Sequence, residues 1–187
     1  RMAQQLIKEA CQVARHSGEK NLVRKTEIAQ CVFLLWGGRI AEAIRKWDMT
    51  VGHLDDLSFL DEDDLHYYAA LGWAYGTCGY TARGIGLCEA ALEKARRIKN
   101  DELRCYINMM AGMVLFEARR FDEGAAYFER ILTYPEDAPG GFPLRQAHHA
   151  MALIAYRAGR LPEAFEHLKK GFDYSQRFGW FHHRAPW

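Results

Sequence analysis

Residues 158–164 read AGRLPEA, and segments of the same form stand at 37–43 (GGRIAEA), 79–85 (GYTARGI) and 118–124 (ARRFDEG). Setting Gly38, Gly79, Arg119 and Gly159 as equivalent gives spacings of 41, 40 and 40 residues. A fixed period of this size is the mark of stacked repeats. Five residues after each marker comes a small side chain, Ala43, Gly84, Gly124 and Ala164, and seven residues before it another, Cys31, Gly72, Gly112 and Ala152. Small residues at one place on each arm let two helices approach closely and pack ridge into groove. Each unit is therefore expected to be a helical hairpin.

Working outward from the turns, first helices are predicted near 24–36, 64–77, 102–118 and 144–157, and second helices near 40–50, 81–98, 121–133 and 161–176. Between hairpins lie the punctuated stretches VGHLDDLSFLDEDD, KND and PEDAPGGFP. Pro143 and Pro162 fall where helices should begin, positions that tolerate a missing N–H. The acidic run at 61–64, DEDD, lacks the glycine-centred ligand alternation of a calcium loop and suits a helix start, where negative charge is favourable. Ahead of the first unit, Leu6, Ile7, Ala10, Val13 and Ala14 form a helical stripe. The chain is thus one domain over 1–187. Residues 1–20 are expected to form an orphan second helix, 24–63, 64–101, 102–142 and 143–180 four repeats, and 181–187 the start of a further element. Both ends read as cut within a repeat, as in a fragment of a longer protein.

The 187 residues are 49% hydrophobic and 26% charged, an ordinary globular balance. With 25 basic against 24 acidic residues there is no overall positive field, so direct nucleic-acid binding and anionic-membrane binding are not expected. Five cysteines (Cys11, Cys31, Cys78, Cys88, Cys105) form no CxxC and no zinc spacing, which suits reduced, mostly packed thiols in cytoplasm. No apolar run approaches the roughly 20 residues needed to span a bilayer.

In the second unit, Tyr68, Leu71, Gly72 and Tyr75 resemble the tetratricopeptide (TPR) pattern W-x2-L-G-x2-Y, with Tyr for Trp. The A-x3-F element of that family is echoed by Ala43/Trp47, Gly84/Cys88, Gly124/Phe128 and Ala164/Leu168. The period is about six residues longer than the 34-residue form. The closing proline is replaced by Asp55, Arg96, Glu136 and Gln176. Longer units of this kind are similar to those in large bacterial transcription and signalling regulators. The resemblance implies an all-α fold, a right-handed α-solenoid of TPR-like helix-turn-helix repeats.

It also bears on CYINMMAGMVLFEARRF, residues 105–121, which is apolar at almost every position from Ile107 to Phe116. A first helix buried by its own partner and by stacked neighbours can be apolar over most of its circumference. Asn108, Ala111, Gly112 and Leu115 should pack on the unit's own second helix, with Gly112 as the close-approach point. In the family the remaining face lines a concave groove. By position, that groove comprises Ile28, Val32, Leu35 and Trp36, then Ala69, Trp73 and Thr77, then Met109, Met113, Phe116 and Glu117, then His149, Leu153, Tyr156 and Arg157. A carboxylate clamp like that of chaperone-binding members is not expected, Lys25 and Arg157 being the nearest basic candidates. An aromatic and methionine surface suits an apolar helix or peptide. The competing reading buries these residues under neighbouring repeats or another part of the protein.

No catalytic, cofactor-binding or metal-binding residues are assigned. His148/His149 and His182/His183 are adjacent pairs whose side chains diverge by about 100° on a helix, unsuited to sharing an ion. Glu163, Glu166 and His167 offer an acid and an imidazole on an amphipathic helix, without nucleophile elbow, phosphate loop or HExxH. The expected function is a noncatalytic, cytoplasmic, protein–protein interaction module of a larger bacterial transcription or signalling regulator, binding a peptide, helix or domain, including another domain of the same chain. The alternative is a small-ligand or peptide sensor that regulates an attached output domain. Self-association through the repeat ends is a further expectation.

Overall fold

The computed structural model describes residues 2–50, 60–135 and 141–177. Among these residues every regular element is a helix: α1 Met2–Ser17, α2 Lys20–Trp36, α3 Ile40–Thr50, α4 Glu62–Thr77, α5 Thr81–Ala95, α6 Asp101–Glu117, α7 Phe121–Leu132, α8 Gly141–Arg157 and α9 Leu161–Arg177. The hairpins are α2/α3, α4/α5, α6/α7 and α8/α9, with α1 packed on α2. First helices also pack on one another, α2 on α4, α4 on α6 and α6 on α8. This is a TPR-like right-handed solenoid. The helix boundaries fall within a few residues of those expected, with α2 and α8 beginning earlier. Pro143 and Pro162 lie in first turns, where their missing N–H breaks no helical bond. His182, His183 and the expected element at 181–187 lie outside the described residues.

The four turns share one geometry because they share one hydrogen-bond pattern. The N–H after each marker residue donates to the carbonyl five residues back: Arg39 to Leu34, Tyr80 to Tyr75, Arg120 to Leu115 and Arg160 to Ala155, each at 2.9 Å. This 6→1 closure needs the marker in the left-handed region. Gly38, Gly79 and Gly159 adopt it at φ 76°, 85° and 74°, and Arg119 adopts it at 59° despite its side chain.

The small residues bring the arms together. A Cβ added to Gly84 would lie 2.5 Å from the Gly72 carbonyl oxygen, so α4 and α5 meet backbone to backbone. In the next unit the Phe128 ring sits on Gly112, where a Cβ would come within 2.7 Å of Cζ. Around these contacts the buried core runs continuously through Trp47, Leu71, Tyr75, Ile107, Val114, Phe128 and Ile131. Trp47 also meets Tyr68 of the next unit edge to face, with ring centroids 5.4 Å apart.

Polar ties cross between units. Asp61 caps α4 in a reciprocal box with Asp64, the helix-start role expected of the acidic run, and Lys25 from α2 bonds both carboxylates, at 2.5 and 3.1 Å. Asn100 caps α6 and donates to Glu62 at 2.6 Å. Tyr127 donates to Glu89 at 3.1 Å. Cys11, Cys31, Cys88 and Cys105 are buried free thiols, and Cys78 is an exposed one.

Candidate functional site

The predicted groove divides into a buried part and an open part. Ile28, Val32, Leu35, Ala69 and Met109 are at most 4% exposed and belong to the core. Their position as groove lining is corrected: packing of the first helices on one another, and of α1 on α2, buries that stripe, so they offer no surface to a partner. The remaining residues, most of them in the C-terminal halves of the first helices, keep part of their surface. Trp36 is 59% exposed, Trp73, Thr77, Met113 and Phe116 are half-buried, and His149, Leu153 and Tyr156 are exposed. Glu117 and Arg157 are exposed at the same end.

Two features organise this open part. Trp36 and Trp73, from adjacent first helices, stack with centroids 6.3 Å apart and planes 23° from parallel. The Trp73 indole N–H is buried and has no acceptor among the described residues. Farther along, Met113, Phe116, Glu117, Arg119, Phe121 and Leu153 line a cleft of about 270 Å³. Phe116 anchors its floor, edge to face with Phe121 and with Phe128, both at 5.1 Å. Gly124 makes room for that ring, since a Cβ there would lie 2.9 Å from it. The Arg157 guanidinium covers the outer face of Phe121 at 4.3 Å. The cleft is apolar below and carries charge only at its lip.

Arg119 and Phe121 were absent from the predicted lining because they sit on the turn and on the second helix. Their signal was the marker register itself: Phe121 occupies the same place as Ile40, Thr81 and Leu161. Of the two basic groups considered for a clamp, Lys25 is held by Asp61 and Asp64, which raise its pKa, and Arg157 lies on an aromatic ring. Neither faces the cleft as a free cation.

The histidines and acids weighed for chemistry have structural engagements. Nδ1 of His148 and Nδ1 of His167 are hydrogen-bonded at 2.9 Å, one ring donating and the other accepting, and His148 stacks on Tyr174. Burial, then the neighbouring His167 and Lys170, pushes the His148 pKa down to about 4. His149 packs toward Gly171, and burial lowers its pKa too. Glu163 accepts from Arg160 at 2.7 Å across the last turn. Among the described residues no three His, Cys, Asp or Glu side chains gather to hold a metal ion, and no helix is long and apolar enough to cross a membrane.

No protein-family model matches the chain, and no curated protein matches it. Solved structures do. A kinesin light chain-like protein of Podosopora anserina with nearly identical TPR-like repeats superposes with a TM-score of 0.69 at 14% identity, covering 95% of this chain and 87% of that one. PlcR of Bacillus thuringiensis, in complex with the peptide PapR7 and DNA, superposes with a TM-score of 0.60 at 14% identity, covering 95% of this chain and 67% of that one. At such identities the likeness is one of fold.

Proposed function

We propose that this chain, a TPR-like helical-repeat solenoid, is a noncatalytic protein–protein interaction module that holds an apolar peptide or helix along its inner face and serves a larger bacterial regulator. One observation carries this reading: a row of partly exposed aromatic, Met and Leu side chains passes from Trp36 and Trp73 through Met113 and Phe116 to Leu153 and Tyr156, crossing all four hairpins. Contiguous exposed apolar surface of this kind marks interaction sites. The cleft beside Phe116, about 270 Å³ and lined by Met113, Phe116, Phe121 and Leu153, suits one bulky apolar side chain of such a peptide. That PlcR, of similar fold, is bound to a peptide in its solved structure is consistent with the same use here.

The test is selection of peptides from a displayed random library against the folded chain, followed by titration using Trp fluorescence. Selected peptides should carry a large apolar residue and lose about tenfold or more in affinity against Trp36→Asp or Met113→Asp, provided circular dichroism shows the helices intact. Affinity unchanged by both substitutions would place the binding surface elsewhere.

A further inference from the structure

Three of the four turn markers are glycines, and the remaining one is Arg119, held at φ 59° in the left-handed region where a side chain is strained. Glycine serves the same turn in the other units, with the same 2.9 Å closure. The turn therefore does not call for this arginine. Non-glycine residues kept in that region cluster where the side chain or its strain is used, ligand-binding sites among them.

The surroundings of Arg119 point to such a use. It lines the cleft of about 270 Å³ together with Met113, Phe116, Glu117, Phe121 and Leu153. The neighbouring turn arginines are engaged: Arg39, Arg120 and Arg160 donate through Nε to Glu42, Glu123 and Glu163 at 2.8, 2.6 and 2.7 Å. Arg119 is exposed, and its guanidinium has no hydrogen bond or ion pair among the described residues. Arg157, on the outer face of Phe121, adds a second cation at the lip, against the carboxylate of Glu117. The lip is thus positive on balance above an apolar floor.

We propose that Arg119 is a specificity-determining residue of the groove, binding the carboxylate of an acidic side chain that neighbours the bulky apolar residue seated on Phe116. Its role presupposes that the groove is a peptide site. A guanidinium meets a carboxylate through two parallel N–H donors, so it selects an acid by geometry as well as by charge. The acid belongs to a side chain and not to a chain terminus, because the apolar row runs past the cleft on both sides, to Trp73 on α4 and Tyr156 on α8. A peptide following that row continues beyond the cleft in both directions.

The test uses a displayed random-peptide library closed at both ends by Gly-Ser linkers, beside a second library with a free C-terminus. Peptides selected from the closed library on the parent chain should carry Asp or Glu beside a large apolar residue. Synthetic copies should bind Arg119→Gly about fivefold or more weakly, although that variant, relieved of its strain, melts about 2–4 °C higher. Changing the peptide's acid to its amide should cost the parent the same factor and cost Arg119→Gly nothing, and raised salt should weaken only the pair that keeps both charges. Arg119→Glu should instead select Lys or Arg at that place. Peptides without an acidic preference, or equal affinity for the parent and Arg119→Gly, overturn the inference, and the groove reading survives if their binding is still lost in Met113→Asp. Binding that Met113→Asp leaves unchanged overturns the groove reading and this inference with it. An acid enriched only at the free C-terminus overturns the side-chain assignment.

Discussion

Gly84 and Gly86 are two residues apart on α5, and alanine should have opposite effects at them. At Gly86 nothing lies within 4 Å of the added methyl, so the substitution gains only the helix propensity that glycine lacks, about 0.5–1 kcal/mol. At Gly84 the methyl would lie 2.5 Å from the Gly72 carbonyl oxygen, 3.1 Å from Val114 Cγ1 and 3.2 Å from the Gly76 backbone nitrogen. A relaxed carbon–oxygen contact is about 3.3 Å, so α5 must withdraw from α4 by roughly 0.8 Å. Two of the three neighbours are backbone, and no flexible side-chain end is available to yield. Overpacking of this kind costs about 1–3 kcal/mol, here toward the upper end, and the propensity gain offsets up to about 1 kcal/mol. The net expectation is a loss of about 2 kcal/mol. For a chain of this size each kcal/mol moves Tm by about 2–4 °C, so Gly84→Ala should lower Tm by about 4–8 °C and Gly86→Ala should raise it by about 1–4 °C. Thermal melts followed by circular dichroism, with urea titrations beside them, read both variants. A Gly84→Ala protein as stable as the parent would refute backbone contact between the arms, and with it the role assigned to the small residues of every unit.

Acid should weaken the last hairpin through His148, whose folded pKa of about 4 lies below its ordinary 6.5. The native state then binds fewer protons than the unfolded one. The contribution is fully present above about pH 6.5 and is lost as pH falls toward 4, about 2 kcal/mol of it by pH 5. Urea midpoints at pH 7.5 and 5 should differ, and His148→Phe, which keeps the stacking on Tyr174, should flatten the dependence. Arg119→Gly should raise Tm by about 2–4 °C, since a non-glycine residue at φ 59° costs about 1 kcal/mol or more. Limited iodoacetamide treatment with mass spectrometry should label Cys78 first. Cys11, Cys31, Cys88 and Cys105 are buried, and burial pushes the pKa values of Cys31 and Cys105 to about 12, so these four should react only on unfolding.

The hairpin architecture was legible because its determinants are local and repeated. A left-handed turn needs glycine or a tolerated substitute at one position, and a close helix crossing needs small residues at two more. Any four units that meet those needs show the same spacings. Gly112 could be named as a contact point before its partner was known, and the structure places the Phe128 ring there. Helix starts were less visible where the cap lies before the apolar pattern. Glu19, at the cap of α2, makes no side-chain capping bond, and α2 begins four residues before the predicted 24.

The groove was only half legible because exposure is set by neighbours rather than by the residue. Ile28, Ala69, Met109 and His149 hold one register position, yet the first three are sealed by adjoining helices and His149 is exposed. Leu168 against Phe128 makes the same point on the second helices: equivalent residues in equivalent hairpins, one about half exposed and the other at 0%. A periodic sequence specifies faces, and only the order of stacking decides which face meets another repeat and which meets solvent. The inner row shows the same dependence within one helix: Leu35 is 3% exposed, sealed by the helices around it, and Trp36, the next residue, is 59% exposed. Occupancy of that row should therefore leave the solenoid's stability nearly unchanged apart from ligand linkage.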